Sequence, residues 1–184
     1  MAYIGRITAR YTVCMEKYIS KETQSDISKV GYYQIAGSLI SVTLILWGII
    51  SSGLEESLFL FIFILLFLSW SIYCGIHCLK TRKNCLQYSL INQLLQTIGI
   101  AIFGIVFQYA AGPYLYLGVN LTESGRFLFG AGLTNIVFAI NSESDQIQIE
   151  CNLVAIVFTF WIIRLMKKVK REKELNKTTS IGET

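Results

Sequence analysis

The chain has little proline, little histidine and little charge, and these shortages exclude ordinary soluble folds. Its 184 residues include one Pro and one His, and 15% are charged, against 53% apolar and 13% aromatic residues. The mean hydropathy is +0.53. A soluble domain of this length carries more charge and fewer apolar residues. The composition therefore predicts a membrane protein, with the bilayer as its solvent.

Sequence signatures of catalysis and of phosphate binding are also missing. No glycine-rich phosphate loop occurs, and no Ser, His and Asp set or paired-acid motif is readable. No Asp, Glu or Lys lies in the middle of any long apolar run, which argues against a carrier coupled to protons or cations. The net charge of +4 accompanies no nucleic-acid motif. We therefore predict a protein that is not an enzyme, binds no nucleic acid and uses no cofactor.

Four apolar runs approach the roughly 20 residues that one membrane crossing requires. They predict spans at about 30–54, 57–79, 88–111 and 151–166. The third ends before Gly112-Pro113, because proline breaks a helix; the fourth is short and contains Arg164. The predicted fold class is an all-α membrane protein, a four-transmembrane-helix bundle over residues 30–166. A small extracytoplasmic β cap, residues 113–149, lies between its third and fourth helices.

The distribution of basic residues predicts the orientation of these spans. Every Lys and Arg except Arg126 precedes span one, lies between spans two and three, or falls at or after the end of span four. Short cytoplasmic loops retain Lys and Arg, so both termini are predicted to be cytoplasmic, in a bacterial inner membrane. Residues 1–29 are predicted to form an amphipathic interfacial helix, and residues 167–184 a basic, partly disordered tail.

The predicted outer insert alternates polar and apolar residues in a way that favours strands. Tyr114, Tyr116 and Gly118 alternate with Leu115, Leu117 and Val119, and QIQIE follows the turn-rich NSESD. We expect three or four short strands, with a short helix near the middle as an alternative. Too many apolar residues occur here for a freely solvated loop, so they either pack on one another or form a partner surface. The residues are Phe127, Phe129, Ile136 and Phe138.

Small and polar residues recur on the predicted faces of spans one and three, and two interpretations stay open. Such residues admit close helix packing and hydrogen bonds between helices, or they line a polar pathway. The residues are Gln34, Ser41, Asn92, Gln93, Gln96, Thr97 and Gln108.

The segment WSIYCGIHCLKTRKNC holds the one histidine and three of the five cysteines. On a helix Cys74, His77 and Cys78 share a face, and two thiolates with an imidazole are ligands for zinc or copper. The alternative is the cytoplasmic end of span two, with the Cys residues as small apolar side chains. Disulfides are not expected on that side of the membrane.

The words GYYQIAG, SIYCGI, SLINQLLQ and NLVAI resemble, in order and placement, small four-pass inner-membrane proteins of bacteria. That resemblance implies no activity. The short first and long second outer loop is similar to tetraspanin-like topologies, although the cysteine framework of tetraspanin loops is absent. Our leading prediction is a scaffold that binds the lipid bilayer and either a protein partner or further copies of itself. An oligomeric channel or membrane-permeabilising effector, and a metal or thiol enzyme at the cytoplasmic face, are the alternatives.

Overall fold

A computed structural model describes residues 19–52, 58–122, 125–139 and 147–181. They form four helices and one antiparallel sheet of four strands. The prediction of an all-α four-helix membrane bundle is therefore wrong. In chain order the elements are α1 (Lys21–Ser52), α2 (Leu58–Leu79), α3 (Cys85–Thr97), β1 (Ile98–Ile102), β2 (Ile105–Asn120), β3 (Arg126–Ala139), β4 (Gln148–Asn152) and α4 (Leu153–Ile181).

Two helices are long and apolar enough to cross a bilayer, judged by length and composition. They are Lys21–Ser51 in α1 and Phe61–Leu79 in α2. The helices approach closely where two glycines face each other: a Cβ on Gly31 would lie 2.7 Å from the Gly75 carbonyl oxygen. Small residues at such a crossing allow backbones to pack without a hydrophobic driving force. Most of the predicted interfacial helix at 1–29 lies outside the described residues, which begin at position 19. Its last residues, from Lys21 onward, belong to α1.

The third and fourth predicted spans are wrong. In place of a helix over 88–111, α3 ends at Thr97 and the chain continues as β1 and β2. The reason lies in IGIAI, where β-branched Ile alternates with small residues, a pattern that favours a strand over a helix. In place of a helix from 151, Cys151 and Asn152 belong to β4. The Asn152 Oδ1 accepts hydrogen bonds from the backbone N–H groups of Val154 and Ala155, so it caps α4.

The sheet closes on itself because β2 bends in the middle. The first half of β2 pairs with β1, the second half pairs with β4, and β4 pairs with β1, all antiparallel. The register of β2 against β3 shifts between Ala111 and Tyr114, around Gly112 with φ +107° and Pro113. β3 follows both halves of β2 and has no strand along its other edge within the described residues. The result is a small closed barrel of β1, β2 and β4 with β3 on the outside.

Polar residues face the inside of this barrel. Along β4, Gln148, Glu150 and Asn152 alternate with Ile149 and Cys151, and successive strand residues point to opposite faces. The polar set meets the side chain of Gln108 across the sheet, whereas Ile149 is exposed on the outside.

The first half of β2 and the facing part of β3 pack against α1 and α2. Leu68 of α2 is buried with Tyr109 and Ala111 of β2, and a Cβ on Gly37 of α1 would lie 2.6 Å from the Ala111 carbonyl oxygen. The Ser41 and Thr134 hydroxyls lie 2.8 Å apart and join α1 to β3. This part of the sheet therefore lies beside the apolar part of the α1–α2 pair.

All four helices meet at the opposite end, which also collects the basic segments. Ile27, Cys78, Leu86 and Ile162 belong to one buried cluster with a residue from each helix. On its surface the Lys168 ammonium lies 2.9 Å from the Glu22 carboxylate. We call this the basic end of the molecule.

Candidate functional site

The inside of the barrel forms a cleft around one buried carboxylate. Glu150 is 5% exposed. Next to its side chain is a small cavity, in which the centre of a water-sized sphere has about 20 Å³ available to it. Such a volume holds about one water-sized group. The cleft is lined in part by Gln108, Tyr114, Tyr116, Asn135, Glu150 and Asn152, and we call it the Glu150 cleft.

Neutral amides provide the hydrogen bonds of this carboxylate. Gln108 Nε2 donates to one Glu150 oxygen at 2.8 Å, and Gln148 Nε2 donates to the other. Asn135 Nδ2 in turn donates to Gln108 Oε1 at 2.9 Å. None of the salt bridges among the described residues involves Glu150. Burial raises the pKa of Glu150, and the Gln148 hydrogen bond opposes that rise without cancelling it.

Glycines in the facing strands make room for the contents of the cleft. A Cβ on Gly99 would lie 3.1 Å from Gln108 Cγ and 3.4 Å from Glu150 Oε2, and one on Gly118 would lie 2.7 Å from Glu150 Cγ. A larger residue at Gly118 would displace the Glu150 side chain, whereas one at Gly99 would crowd Gln108. The shape of the cleft therefore depends most on Gly118.

Two tyrosine rings form another wall. The rings of Tyr114 and Tyr116 stack with centroids 5.8 Å apart, and they lie over Gly132 and Gly130 of β3. Burial, and then the nearby Tyr116 and Glu150, raise the pKa of Tyr114, which places the phenol within the field of the carboxylate. The cleft thus combines an anionic oxygen pair with aromatic surface.

Sequence reasoning missed Glu150 as a site residue. It searched the long apolar runs and found no Asp, Glu or Lys in the middle of any of them, whereas Glu150 lies between the predicted insert and the fourth predicted span. The alternation in QIQIE was the available signal, because it gives one strand a fully polar face. The bend in β2 brings the polar faces of β2 and β4 together inside the barrel. Sequence reasoning did not predict that bend.

The polar residues predicted on spans one and three lie in two places. Gln34, Ser41, Asn92, Gln93 and Gln96 are buried, Thr97 is half-buried on α3, and Gln108 lies on β2 in the Glu150 cleft. Ser89 Oγ donates to Gln34 Oε1, Asn92 Nδ2 donates to Ser71 Oγ, and Gln96 Oε1 accepts from the Ala111 N–H. These bonds tie the helices to one another and to the sheet, as helix packing requires.

Gln93 stands apart from this network. It is almost fully buried, and neither of its amide atoms has a hydrogen-bond partner within the described part of the chain. Leaving a buried amide without hydrogen bonds costs roughly 1–3 kcal/mol of folding free energy, so Gln93 lowers the stability of the fold.

The three predicted metal ligands do not converge. Cys74 and Cys78 are buried, and Cys78 Sγ lies 3.1 Å from Ser89 Oγ. The His77 ring lies instead against Tyr73 and Tyr88, with centroids 4.2 Å and 5.8 Å away. Among the residues that the structure describes, no three His, Cys, Asp or Glu side chains are placed to hold a metal ion. We therefore build no function on this segment.

The four residues of the predicted partner surface separate into two pairs. Phe138 contacts Phe63 with ring centroids 4.6 Å apart, and Ile136 packs against the cluster around Leu68, so both cover α2. Phe127 and Phe129 point away from the molecule, 86% and 69% exposed. They border an apolar groove of about 590 Å³ formed by β2, β3 and β4.

Comparison of the chain with protein-family models, with curated proteins and with solved structures finds no match. The functional argument therefore depends on the residues and their geometry alone.

Proposed function

We propose that the chain is a non-enzymatic integral membrane protein that assembles with a second copy of itself through the outer face of its sheet. α1 and α2 hold the protein in the bilayer, and the basic end faces the cytoplasm, as the positive-inside rule requires. The observation that carries the proposal is the exposure of Phe127 and Phe129 beside the apolar groove, on a strand whose other edge has no strand partner in the described part of the sheet.

Lipid alone would cover the aromatic rings of this surface but would leave the backbone groups at the edge of β3 without hydrogen bonds. Part of the sheet lies beside the apolar part of the α1–α2 pair, so acyl chains suit the exposed rings of Phe127 and Phe129. They offer no hydrogen bonds to the backbone groups at a strand edge, and open edges facing lipid do not occur in membrane proteins. A protein partner, in contrast, would supply hydrogen bonds to these backbone groups.

A second copy is the simplest protein that fits. Two copies related by a twofold axis bring the same surface together, and antiparallel pairing of β3 with its counterpart satisfies both edges at once. α1 approaches β3 near Thr134, and we propose that such pairing involves the segment from Phe127 to Gly132. Phe127 and Phe129 then lie at the centre of the interface.

Native mass spectrometry of the protein released from lipid nanodiscs tests the proposal. The wild type should be a dimer. Changing Phe127 and Phe129 together to Ala should weaken dimerisation at least about thirtyfold, since central aromatic anchors contribute about 2 kcal/mol or more. Phe160→Ala is the matched control, because Phe160 is 63% exposed on α4, away from β3. A monomeric wild type, or equal losses in both variants, would contradict the proposal.

A further inference from the structure

No cationic side chain among the residues that the structure describes forms a salt bridge with the carboxylate of Glu150. Its oxygens accept hydrogen bonds from the amides of Gln108 and Gln148, which are neutral. Burying an ionised carboxylate without a cation is costly, and buried charges in proteins are ordinarily paired. The site therefore favours any small cation that reaches it.

The dimensions of the cleft limit this cation to one water-sized group. About 20 Å³ is open to the centre of a water-sized sphere. A guanidinium, an imidazolium or a quaternary ammonium has four or more non-hydrogen atoms, whereas this volume has room for about one water-sized group. A single –NH₃⁺ group is of the right size, with its substituent directed toward the opening of the cleft.

The walls match an ammonium group in chemistry as well as in size. Its three N–H donors require acceptors, and the Glu150 oxygens and Gln108 Oε1 keep free lone pairs beyond their existing bonds. Tyr114 and Tyr116 add aromatic surface, which attracts organic cations. An inorganic cation such as Na⁺ prefers a shell of oxygens and gains less from the rings.

We propose that the Glu150 cleft binds the ammonium group of a primary amine, with the Glu150 carboxylate as its counter-ion. This site is separate from the outer face of β3, so it does not depend on the proposed dimer. The amine has two sources: a small amine dissolved in water, or the headgroup of an aminophospholipid in the surrounding bilayer.

Saturation-transfer NMR with methylammonium as the probe tests this proposal on the full chain in nanodiscs of choline lipids. The wild type should bind methylammonium saturably, and tetramethylammonium should not bind. Glu150→Gln keeps the shape of the side chain and one of its two accepting oxygens, replaces the other oxygen by an NH₂ group, and removes the charge. It should weaken methylammonium binding at least about tenfold.

Glu174→Gln makes the same chemical change on α4 and should leave binding within about twofold. No saturable binding to the wild type, or equal binding to Glu150→Gln, would overturn the proposal. Displacement of methylammonium by an equal concentration of Na⁺ would also overturn it, because the site would then be one for inorganic cations.

Gly99→Ala provides a second route that retains the charge. The new Cβ would lie 3.1 Å from Gln108 Cγ and narrow the cleft, so binding should fall several-fold. Gly48→Ala is the control, since nothing lies within 4 Å of a Cβ at that position. Unchanged binding in a folded Gly99→Ala protein would place the amine elsewhere.

Nanodiscs that contain ethanolamine lipids distinguish the two sources. If the lipid headgroup occupies the cleft, methylammonium should bind more weakly in these discs than in choline-lipid discs. If the two disc types give the same affinity, the source is a dissolved amine. Both results support an ammonium site at Glu150.

Discussion

Glu172 fastens the first turn of α1 to α4. Its carboxylate accepts hydrogen bonds from the Ser20 N–H at 2.9 Å, the Ser20 hydroxyl at 2.9 Å and the Thr23 hydroxyl at 2.7 Å. Ser20 Oγ also accepts from the Thr23 N–H, so it caps α1. Burial alone would raise the pKa of Glu172, but the hydrogen bonds from Thr23 and Ser20 outweigh burial and hold the pKa below its ordinary value of 4.5.

The depressed pKa of Glu172 predicts a loss of stability in acid. A carboxyl group with a lower pKa in the folded state stabilises the fold above its unfolded pKa. That contribution is therefore present at neutral pH and is lost as the pH falls below about 4.5 and through the folded pKa. Thermal unfolding followed from pH 7 to pH 3 should show a smaller decrease in Tm for Glu172→Gln than for wild type. Glu174→Gln should follow the wild type, and parallel curves for all three proteins would contradict the prediction.

Single residues show how far sequence reasoning reached. It grouped Gln34, Asn92 and Gln96 on polar helix faces from their polarity and spacing, and all three side chains are buried. The choice between helix packing and a polar pathway stays a prediction. Sequence reasoning did not recognise the site at Glu150. Its neighbours Gln108 and Asn135 come from two other strands, and no local pattern in the sequence predicts that they meet.

At the scale of elements, the bend in β2 determines the shape of the sheet. Gly112 has φ +107°, a backbone conformation that residues with a Cβ rarely adopt, and its Cα lies against α1. The proline that was expected to end a transmembrane helix follows directly. Sequence reasoning therefore recognised an interruption at Gly112-Pro113 but assigned it to the wrong kind of element.

Gly112→Ala should destabilise the protein more than Gly125→Ala. Both positions have positive φ, so each substitution costs roughly 1–2 kcal/mol in backbone strain. At Gly112 the new Cβ would also lie 3.1 Å from Gly37 Cα, whereas nothing lies within 4 Å at Gly125. The midpoint of unfolding in denaturant should fall further for Gly112→Ala. Equal shifts in the midpoint for the two variants would contradict the prediction, because the close approach of Gly112 to α1 would then add nothing to the loss of stability.

The change from α3 to β1 was not predictable from the absence of charge. An uncharged run suits a membrane helix and a buried strand equally well. The alternation of Ile98, Ile100 and Ile102 with small residues favours a strand, but a rule based on length does not take account of it. The two helices that are long and apolar enough to cross a membrane, α1 and α2, lack such alternation.

At the scale of the whole molecule, the basic segments gather at one end. Lys168 pairs with Glu22 across α4 and α1, and Arg82 lies beside His77 after α2. Sequence reasoning grouped the same segments on one side of a membrane from charge counts alone. The orientation of that end toward the cytoplasm stays a prediction.

Cysteine labelling in membrane vesicles tests this orientation. In a variant whose five native cysteines are Ser, Glu174→Cys reports the basic end, and Leu121→Cys reports the exposed turn after β2. An impermeant maleimide should label Cys at 174 only in inverted vesicles of bacterial inner membrane. It should label Cys at 121 only in right-side-out vesicles. The reverse pattern would contradict the proposed orientation, and labelling of both positions from one side would contradict a membrane-crossing fold.

The closure of the barrel sets an order for folding during synthesis. β1 pairs with β4, and Ile98 lies opposite Cys151, so the ring stays open until the ribosome has made the whole of β2, β3 and β4. The contact between α1 and α2 at Gly31 and Gly75 joins helices that are adjacent in the chain, so it forms early. Until the ring closes, the unpaired strands are prone to bind other chains. Slow translation after residue 122 should therefore increase aggregation of this protein more than slow translation after residue 79.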